Sequence, residues 1–211
     1  MEEVRVAYDA WSSQYDTNEN KTRDLEAIAL RETLAGIPFS HCLEIGCGTG
    51  KNTEWLCSSD RKVTAVDFSE EMLAKARARI SSGRVEFLQA DIDQPWLFAE
   101  GRTFDLVSFS LVLEHIENID AVFARVHSAL NEGGYVYIGE LHPFKQYTGS
   151  KARFETNEGV NIVTCFDHHV SDFTGAAKKH GFGIVRIEEY FDGGERSGIP
   201  RILVLLLRKE K

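Results

Sequence analysis

The stretch Leu43-Glu44-Ile45-Gly46-Cys47-Gly48-Thr49-Gly50 decides how the rest of this 211-residue chain is read. A short apolar segment, 42–45, runs into three glycines at alternate positions, and a helical pattern begins at once at residue 52. Strand, glycine turn and helix in that order bring bare backbone against a small ligand, because glycine has no Cβ and tolerates φ > 0. Lys51 stands where a dinucleotide fingerprint wants its third glycine, and no Gly-Lys-Ser/Thr ending follows, so the turn is not a phosphate-gripping P-loop. Glu44 places a negative charge where a pyrophosphate would be repelled and a cationic or zwitterionic ligand tolerated.

Working outward, strand-like and helical segments alternate. Strands are expected at 42–45, 63–66, 85–88, 104–109 and 135–141, with helices at 52–58, 69–80 and 119–130 between them. Ser69-Glu70-Glu71 reads as an N-cap with an acidic first turn, and Asn131-Glu132-Gly133-Gly134 closes the third of these helices. The apolar run 104–109 suits a strand covered on both faces. This alternation predicts an α/β, Rossmann-like, mostly parallel doubly wound sheet. At the C-terminal end, 184–190 and 202–207 are separated only by a Gly/Pro-containing loop, too short for a parallel crossover, so they must pair as an antiparallel hairpin. Upstream, 3–15 reads as one amphipathic helix with Val4, Tyr8, Trp11 and Tyr15 on a stripe, and a second helix covers 23–34. The stripe serves either core packing or a lid. The link 142–168 is longer than ordinary connections and predicts a small hairpin of 153–156 and 160–166 around Asn157-Glu158-Gly159, set over the carboxyl edge of the sheet. The reading is one domain over 1–211, with 1–36 as a helical cap and 142–168 as an insertion over the substrate.

Composition bounds the function. With 27% charged and 43% hydrophobic residues the chain is an ordinary globular protein. No run approaches the roughly 18 apolar residues of a membrane span, and Met1-Glu2-Glu3 is unlike a signal peptide. Cys42, Cys47, Cys57 and Cys165 form no Cys-x-x-Cys pair, so a cytoplasmic protein is expected. A net charge of −9 without a lysine/arginine block argues against nucleic acid as a partner. A small-molecule substrate, no membrane, and a monomer or homodimer complete that expectation.

The motif Glu-x-Gly-x-Gly-x-Gly over residues 44–50 resembles the first motif of the class I S-adenosylmethionine-dependent methyltransferases. Asp67 and Asp91 at the ends of the second and third strands, Leu113-Glu114-His115 after the fourth, and the terminal hairpin strengthen the likeness over about residues 8–140. The missing Asp/Asn-Pro-Pro-aromatic signature at Ser108-Phe109-Ser110-Leu111 points away from nucleic-acid methylation and toward the small-molecule, UbiE-like branch. The resemblance implies a seven-stranded sheet and S-adenosylmethionine as cofactor. It places Glu44, Gly46, Cys47, Gly48 and Gly50 along the turn and Asp67 on the ribose hydroxyls. Phe68 and Met72 would flank the adenine, Asp91 and Ile92 would meet its amino group, Ser110 at the end of the fourth strand would also contact the cofactor, and Tyr15, followed by Asp16, would stand near the methionine moiety. A nicotinamide-dependent oxidoreductase and a non-catalytic S-adenosylmethionine-binding protein are the competing readings.

The reaction needs positioning above all, and a base only where the attacking atom carries a proton. Of seven histidines, His142, His169 and His115, in that order, are the candidate bases, with His168 on the same edge; His41, His127 and His180 lie elsewhere. No metal site is expected, since no zinc-type spacing occurs. Trp11, Phe144, Lys145, Tyr147, Arg153 and Arg196 are the candidate substrate contacts, and with Gln146 and Lys151 they suggest an anionic acceptor with an aromatic or apolar body.

Overall fold

The computed structural model describes residues 2–17, 19–156 and 159–210. Helix α1 (Glu2–Trp11) leads through a tight 3-10 turn to α2 (Lys21–Leu34), and β1 (His41–Ile45), α3 (Lys51–Leu56), β2 (Lys62–Asp67), α4 (Glu70–Arg79) and β3 (Val85–Gln89) follow. Then come β4 (Phe104–Ser110), α5 (Ile119–Ala129), β5 (Leu130–Leu141), α6 (Pro143–Tyr147), β6 (Arg153–Thr156), β7 (Gly159–Ile162), α7 (Val170–Lys179), β8 (Phe182–Tyr190) and β9 (Ile202–Lys209). Seven strands form one sheet in the order β3-β2-β1-β4-β5-β9-β8. Five are parallel, and β9 runs antiparallel between β5 and β8, as the short final connection requires.

Period-two alternation on strands buried on both faces sorts the core. Leu203, Leu205 and Leu207 of β9 join Leu43, Val107 and Ile138 under α5 and α7, while Ile202, Val204 and Leu206 join Cys42, Leu106 and Tyr137 under α2, α3 and α4. The order of strands reverses beside β1, where β2 lies on one side and β4 on the other. A crevice opens at such a switch point, outside the carboxyl ends of the strands.

Several elements differ from expectation for identifiable reasons. The helix over 3–15 ends at Trp11, because the Ser12 hydroxyl donates back to the Asp9 carbonyl (2.8 Å) and tightens the last turn. Helix α2 starts two residues early, since the Asn20 side chain accepts from Thr22 N and Arg23 N. Pairing of β5 reaches back to Leu130, with the register jumping from Phe104↔Leu130 to Leu106↔Tyr135, so the expected 131–134 turn survives as an extrusion between paired segments. The inserted hairpin forms, but β7 stops at Ile162 rather than residue 166. Beyond it Phe166 N donates to Glu114 O (2.7 Å), drawing the chain onto the sheet edge. Asn157 and Glu158, expected at its turn, lie outside the described residues. Ser69 does cap α4, its hydroxyl accepting from Met72 N (3.1 Å). Among the described residues no helix is long and apolar enough to cross a membrane.

Candidate active site

Three adjoining cavities occupy the crevice. The first is lined by Asp67, Phe68, Ser69, Ala90, Ile92, Val112, His115 and Ile116, with Val4, Arg5 and Tyr8 of α1 above. The second lies along the glycine turn and is lined by Glu26, Glu44, Cys47, Thr49, Asn52 and Asp16. Gly46, Gly48 and Ser110 belong to both. The third lies between the α1–α2 segment and the insertion. Tyr15 and Leu111 line all three, so the cavities meet there.

Each wall has a local cause. Gly46 takes φ +71, and a Cβ there would collide with Val112. At Gly48 (φ +53) a Cβ would meet only the Tyr15 ring, at 4.0 Å, leaving that backbone open to the cavities. Gly50 instead packs its backbone on Ala76 and begins α3. Leu111 is a non-glycine residue in the left-handed region (φ 57), a conformation that other contacts must hold in place. Glu140, buried in β5, does this: its Oε1 accepts from Val112 N (3.0 Å) and Leu113 N (2.8 Å), while Leu111 N donates to Gly139 O (2.8 Å).

The N-terminal segment is fastened over the crevice by ion pairs and hydrogen bonds. Asp9 accepts from the Ser69 hydroxyl (2.5 Å) and pairs with Arg5 (2.6 Å). Asp16 accepts from the Thr49 hydroxyl (2.8 Å) and pairs with Arg79 (2.6 Å). Trp11 stacks on Phe154 of the insertion (5.3 Å between centroids, 15°), and with Val4 and Val163 forms a small apolar cluster. The aromatic stripe thus both packs and lines the crevice.

Electrostatics distinguish the first two cavities. The Asp67 carboxylate accepts from Gly48 N (2.7 Å) and Ser69 N (2.9 Å), which tie the end of β2 to the glycine turn, while burial raises its pKa. Glu44 is 4% exposed and accepts from the Thr53 hydroxyl (2.5 Å); burial pushes its carboxyl up to about 8. Glu26 accepts from Tyr137 (3.0 Å) and Asn52 (3.0 Å), and burial pushes it up to about 7. Two buried carboxyls reluctant to ionise make a wall that a cation relieves and a pyrophosphate aggravates. S-adenosylmethionine, an adenosyl sulfonium with an α-amino acid tail, suits these linings: the Asp67 carboxylate, apolar Phe68, Ile92 and Ile116, open backbone at Gly48, and carboxyls beyond.

The other expected residues divide. Tyr15 and Cys47 line the crevice, and Met72 is buried beneath it. Asp91 does not line these cavities; its Oδ1 accepts from Asp93 N (2.9 Å) in its own turn, while neighbours Ala90 and Ile92 face the first cavity. His115 reaches the crevice. Its Nδ1 stands 2.7 Å from the Thr164 carbonyl and must donate there, which leaves Nε2 to accept from the Tyr8 hydroxyl at 2.8 Å. His142 lies elsewhere: Nδ1 accepts from Phe144 N (3.2 Å) to cap α6, Nε2 faces Glu189 (3.2 Å), and burial lowers its pKa. His169 precedes α7 and pairs with Tyr147 (2.5 Å) on the surface. Phe144 and Arg196 line the separate groove beside His142 and Glu189, and Lys145 lines none of these cavities, whereas Trp11 and Arg153 line the third. Glu114, His115 and Cys165 bring a carboxylate oxygen, a ring nitrogen and a sulfur within 4.8 Å of one another. Burial, and then Glu114, push the Cys165 thiol up to about 12, and the trio joins the insertion to the sheet edge.

Sequence reasoning overlooked Glu26, Glu140 and the partnership of Tyr8 with His115. The signal for Glu26 was present: it shares a helical stripe with Leu30 and Thr33, a carboxylate on an apolar face.

A family profile described as a methyltransferase domain matches residues 43–138. Trans-aconitate 2-methyltransferase of Paracidovorax citrulli is 35% identical over 51% of this chain and 42% of its own length. Demethylmenaquinone methyltransferase of Clavibacter sepedonicus is 30% identical over 67% of this chain and 56% of its own. The chain thus spans about half the length of these curated relatives. A solved structure, the DhpI–SAM–HEP complex, superposes with a TM-score of 0.77 at 26% identity, covering 98% of this chain and 96% of that one.

Proposed function

We propose that this chain is a class I S-adenosylmethionine-dependent methyltransferase, as its methyltransferase-domain match and its likeness to the DhpI–SAM–HEP complex support, and that it methylates a small molecule held in the third cavity. The observation that carries this reading is the meeting of three cavities at Tyr15 and Leu111. Two compartments receive the donor and a third, walled by Tyr8, Trp11 and Leu141, opens on the same point. When bound, the cofactor supplies a methyl group already activated on sulfur. The relatives bear names of unlike acceptors, trans-aconitate and demethylmenaquinone, both small molecules.

The residues of this chain position, exclude water and move a proton. Asp67 would hold the ribose hydroxyls, Phe68 and Ile92 the base, and Glu44 and Glu26 the cationic end of the methionine moiety. The α1 segment, fastened by Asp9 and Asp16, and Phe154 stacked on Trp11 cover the junction and keep water from it. Where the acceptor is a hydroxyl or protonated amine, its proton passes to Tyr8 Oη as the Tyr8 proton moves to His115 Nε2, the imidazole being held in the accepting tautomer by Thr164 O. Burial keeps the Tyr8 phenol well above its usual pKa, which favours passing the two protons together over a free phenolate. The test is adenosylhomocysteine release on a panel of hydroxy, amino and thiol metabolites, compared between the unaltered protein and D67A. Turnover by the first and not the second supports the reading; donor binding without turnover of any acceptor leaves a binding protein instead.

A further inference from the structure

Resting on that reading of the cleft, we propose that the acceptor carries an oxyanion, a carboxylate or a phosphonate-type group, gripped by Lys151, Arg153 and the Trp11 indole N–H. The third cavity is lined by four cations, Arg23, Lys151, Arg153 and Arg201, against one carboxyl, Glu114, on a chain whose net charge is −9. Glu114 is buried and its pKa is raised by that burial, so it opposes the cations little.

These cations are not equivalent. Arg201 is already neutralised by a two-pronged contact with Asp192 (2.5 and 2.6 Å), and it steadies Thr22 (3.1 Å). Arg23 lies over the Tyr15 ring (4.0 Å) and donates to the Tyr15 carbonyl, which fixes the junction tyrosine. Lys151 and Arg153, on the insertion, enter no ion pair among the described residues, although carboxylates are in excess over the whole chain. A further observation is independent of charge. Trp11 is 6% exposed, lines the same cavity, and its Nε1–H finds no acceptor among the described residues. A buried donor is ordinarily satisfied. An oxyanion between Trp11 and the insertion supplies the missing acceptor to the indole and counter-charge to both cations at once. The aromatic rings of Tyr8, Trp11 and Tyr15 take the remainder of the molecule.

The experiment titrates the full chain, saturated with adenosylhomocysteine, with benzoate, phenylphosphonate and uncharged benzamide, measuring affinity by calorimetry. The two anions are expected to bind at least about tenfold more tightly than benzamide, as one good charge-assisted contact gives. That preference should weaken on raising NaCl from about 50 to about 300 mM, as screening shortens the reach of the two cations. In K151A/R153A it should shrink by about tenfold, while adenosylhomocysteine affinity is retained, since neither residue touches the donor cavities. W11F, which keeps the ring but not the N–H, should lose severalfold on anions alone. Equal affinity for all three probes, no measurable binding of any, or an undiminished preference in K151A/R153A overturns the proposal. If adenosylhomocysteine itself fails to bind the unaltered chain, the reading of the cleft falls first, and the two failures are told apart.

Discussion

Replacing Glu44 by glutamine tests the cation-seeking wall of the crevice. Glu44 is wholly enclosed, with a carboxyl pushed up to about 8 first by burial and, less, by Glu26 and Asp67 nearby. In the unfolded chain it titrates near 4.5. Between these values the folded state holds a proton that the unfolded state has released, so ν for the native state exceeds that for the unfolded one. Stability then declines as pH rises, and the contribution of the protonated carboxyl is lost through pH 8. From pH 6 to pH 8 the decline from this group alone is on the order of 2 kcal/mol. The amide introduced by E44Q keeps an oxygen for the Thr53 hydroxyl and cannot ionise. Taken relative to pH 6, E44Q without ligand should therefore gain on the unaltered protein increasingly toward pH 8, by roughly 4–8 °C in Tm for a chain of this size. Part of the slope persists in the variant, because Glu26 still titrates at about 7. Differential scanning calorimetry at several pH values measures the stability gap. Calorimetric titration with S-adenosylmethionine should show the opposite trend, E44Q binding at least about tenfold more weakly at pH 8 and the deficit closing at pH 6. Parallel Tm curves for the two proteins, or equal donor affinity at pH 8, would refute the reasoning.

Glu140→Ala removes the acceptor of two turn N–H groups and should lower stability by about 2–4 kcal/mol with loss of donor binding, whereas Glu140→Gln retains both at pH 6; thermal melts with and without adenosylhomocysteine decide. Asp67→Ala should weaken S-adenosylmethionine binding by roughly 10–100-fold, and unchanged affinity in titration would remove the ribose contact. Tyr8→Phe should cut kcat by about 100-fold or more for a protonated acceptor, with KM little changed and the acidic limb of the pH–rate profile displaced; a uniform loss at every pH points to packing instead. Gly46→Ala, which drives a methyl into Val112, should bind neither donor nor product while Gly36→Ala, with open space around it, behaves as the parent.

The sheet and the donor crevice were legible because their signals are local. An apolar run, a glycine turn and an N-capping Ser69 each act within a few residues, and the brevity of the final connection forces the antiparallel hairpin by geometry alone. What stayed hidden depends on direction rather than position. His142 does leave the carboxyl end of β5, as read, but its ring caps α6 and turns to Glu189 of β8, a contact set by cap geometry that no spacing announces. His115 and Tyr8 are 107 positions apart, and only the fastening of α1 across the crevice joins them. The same holds for the insertion: Phe144, Lys145 and Tyr147 precede its hairpin and stay away from the third cavity, while Lys151 and Arg153 at the hairpin line it.

The buried acids show what the site demands beyond stability. Glu26, Glu44 and Glu140 all have carboxyls raised by burial to about 7 or 8, and each therefore costs stability as pH rises through neutrality that an uncharged isostere such as glutamine would not. Had stability been the only demand, three such positions around one crevice would have no physical reason. Glu140 has one in the Leu111 turn, whose left-handed backbone it holds by two N–H contacts at the point where all three cavities meet. Glu44 and Glu26 hold no left-handed backbone: Glu44 accepts from the Thr53 hydroxyl, and Glu26 accepts from the Tyr137 hydroxyl and the Asn52 amide. Their ionisation becomes easier when a positive group enters the second cavity. If the donor's positive end lies against these two residues, donor binding should release protons in the range pH 7–8, and calorimetry in buffers of unlike ionisation enthalpy would register that release. A heat of binding independent of buffer across this range would mean that neither carboxyl changes state, and the cation-seeking wall would have to be abandoned.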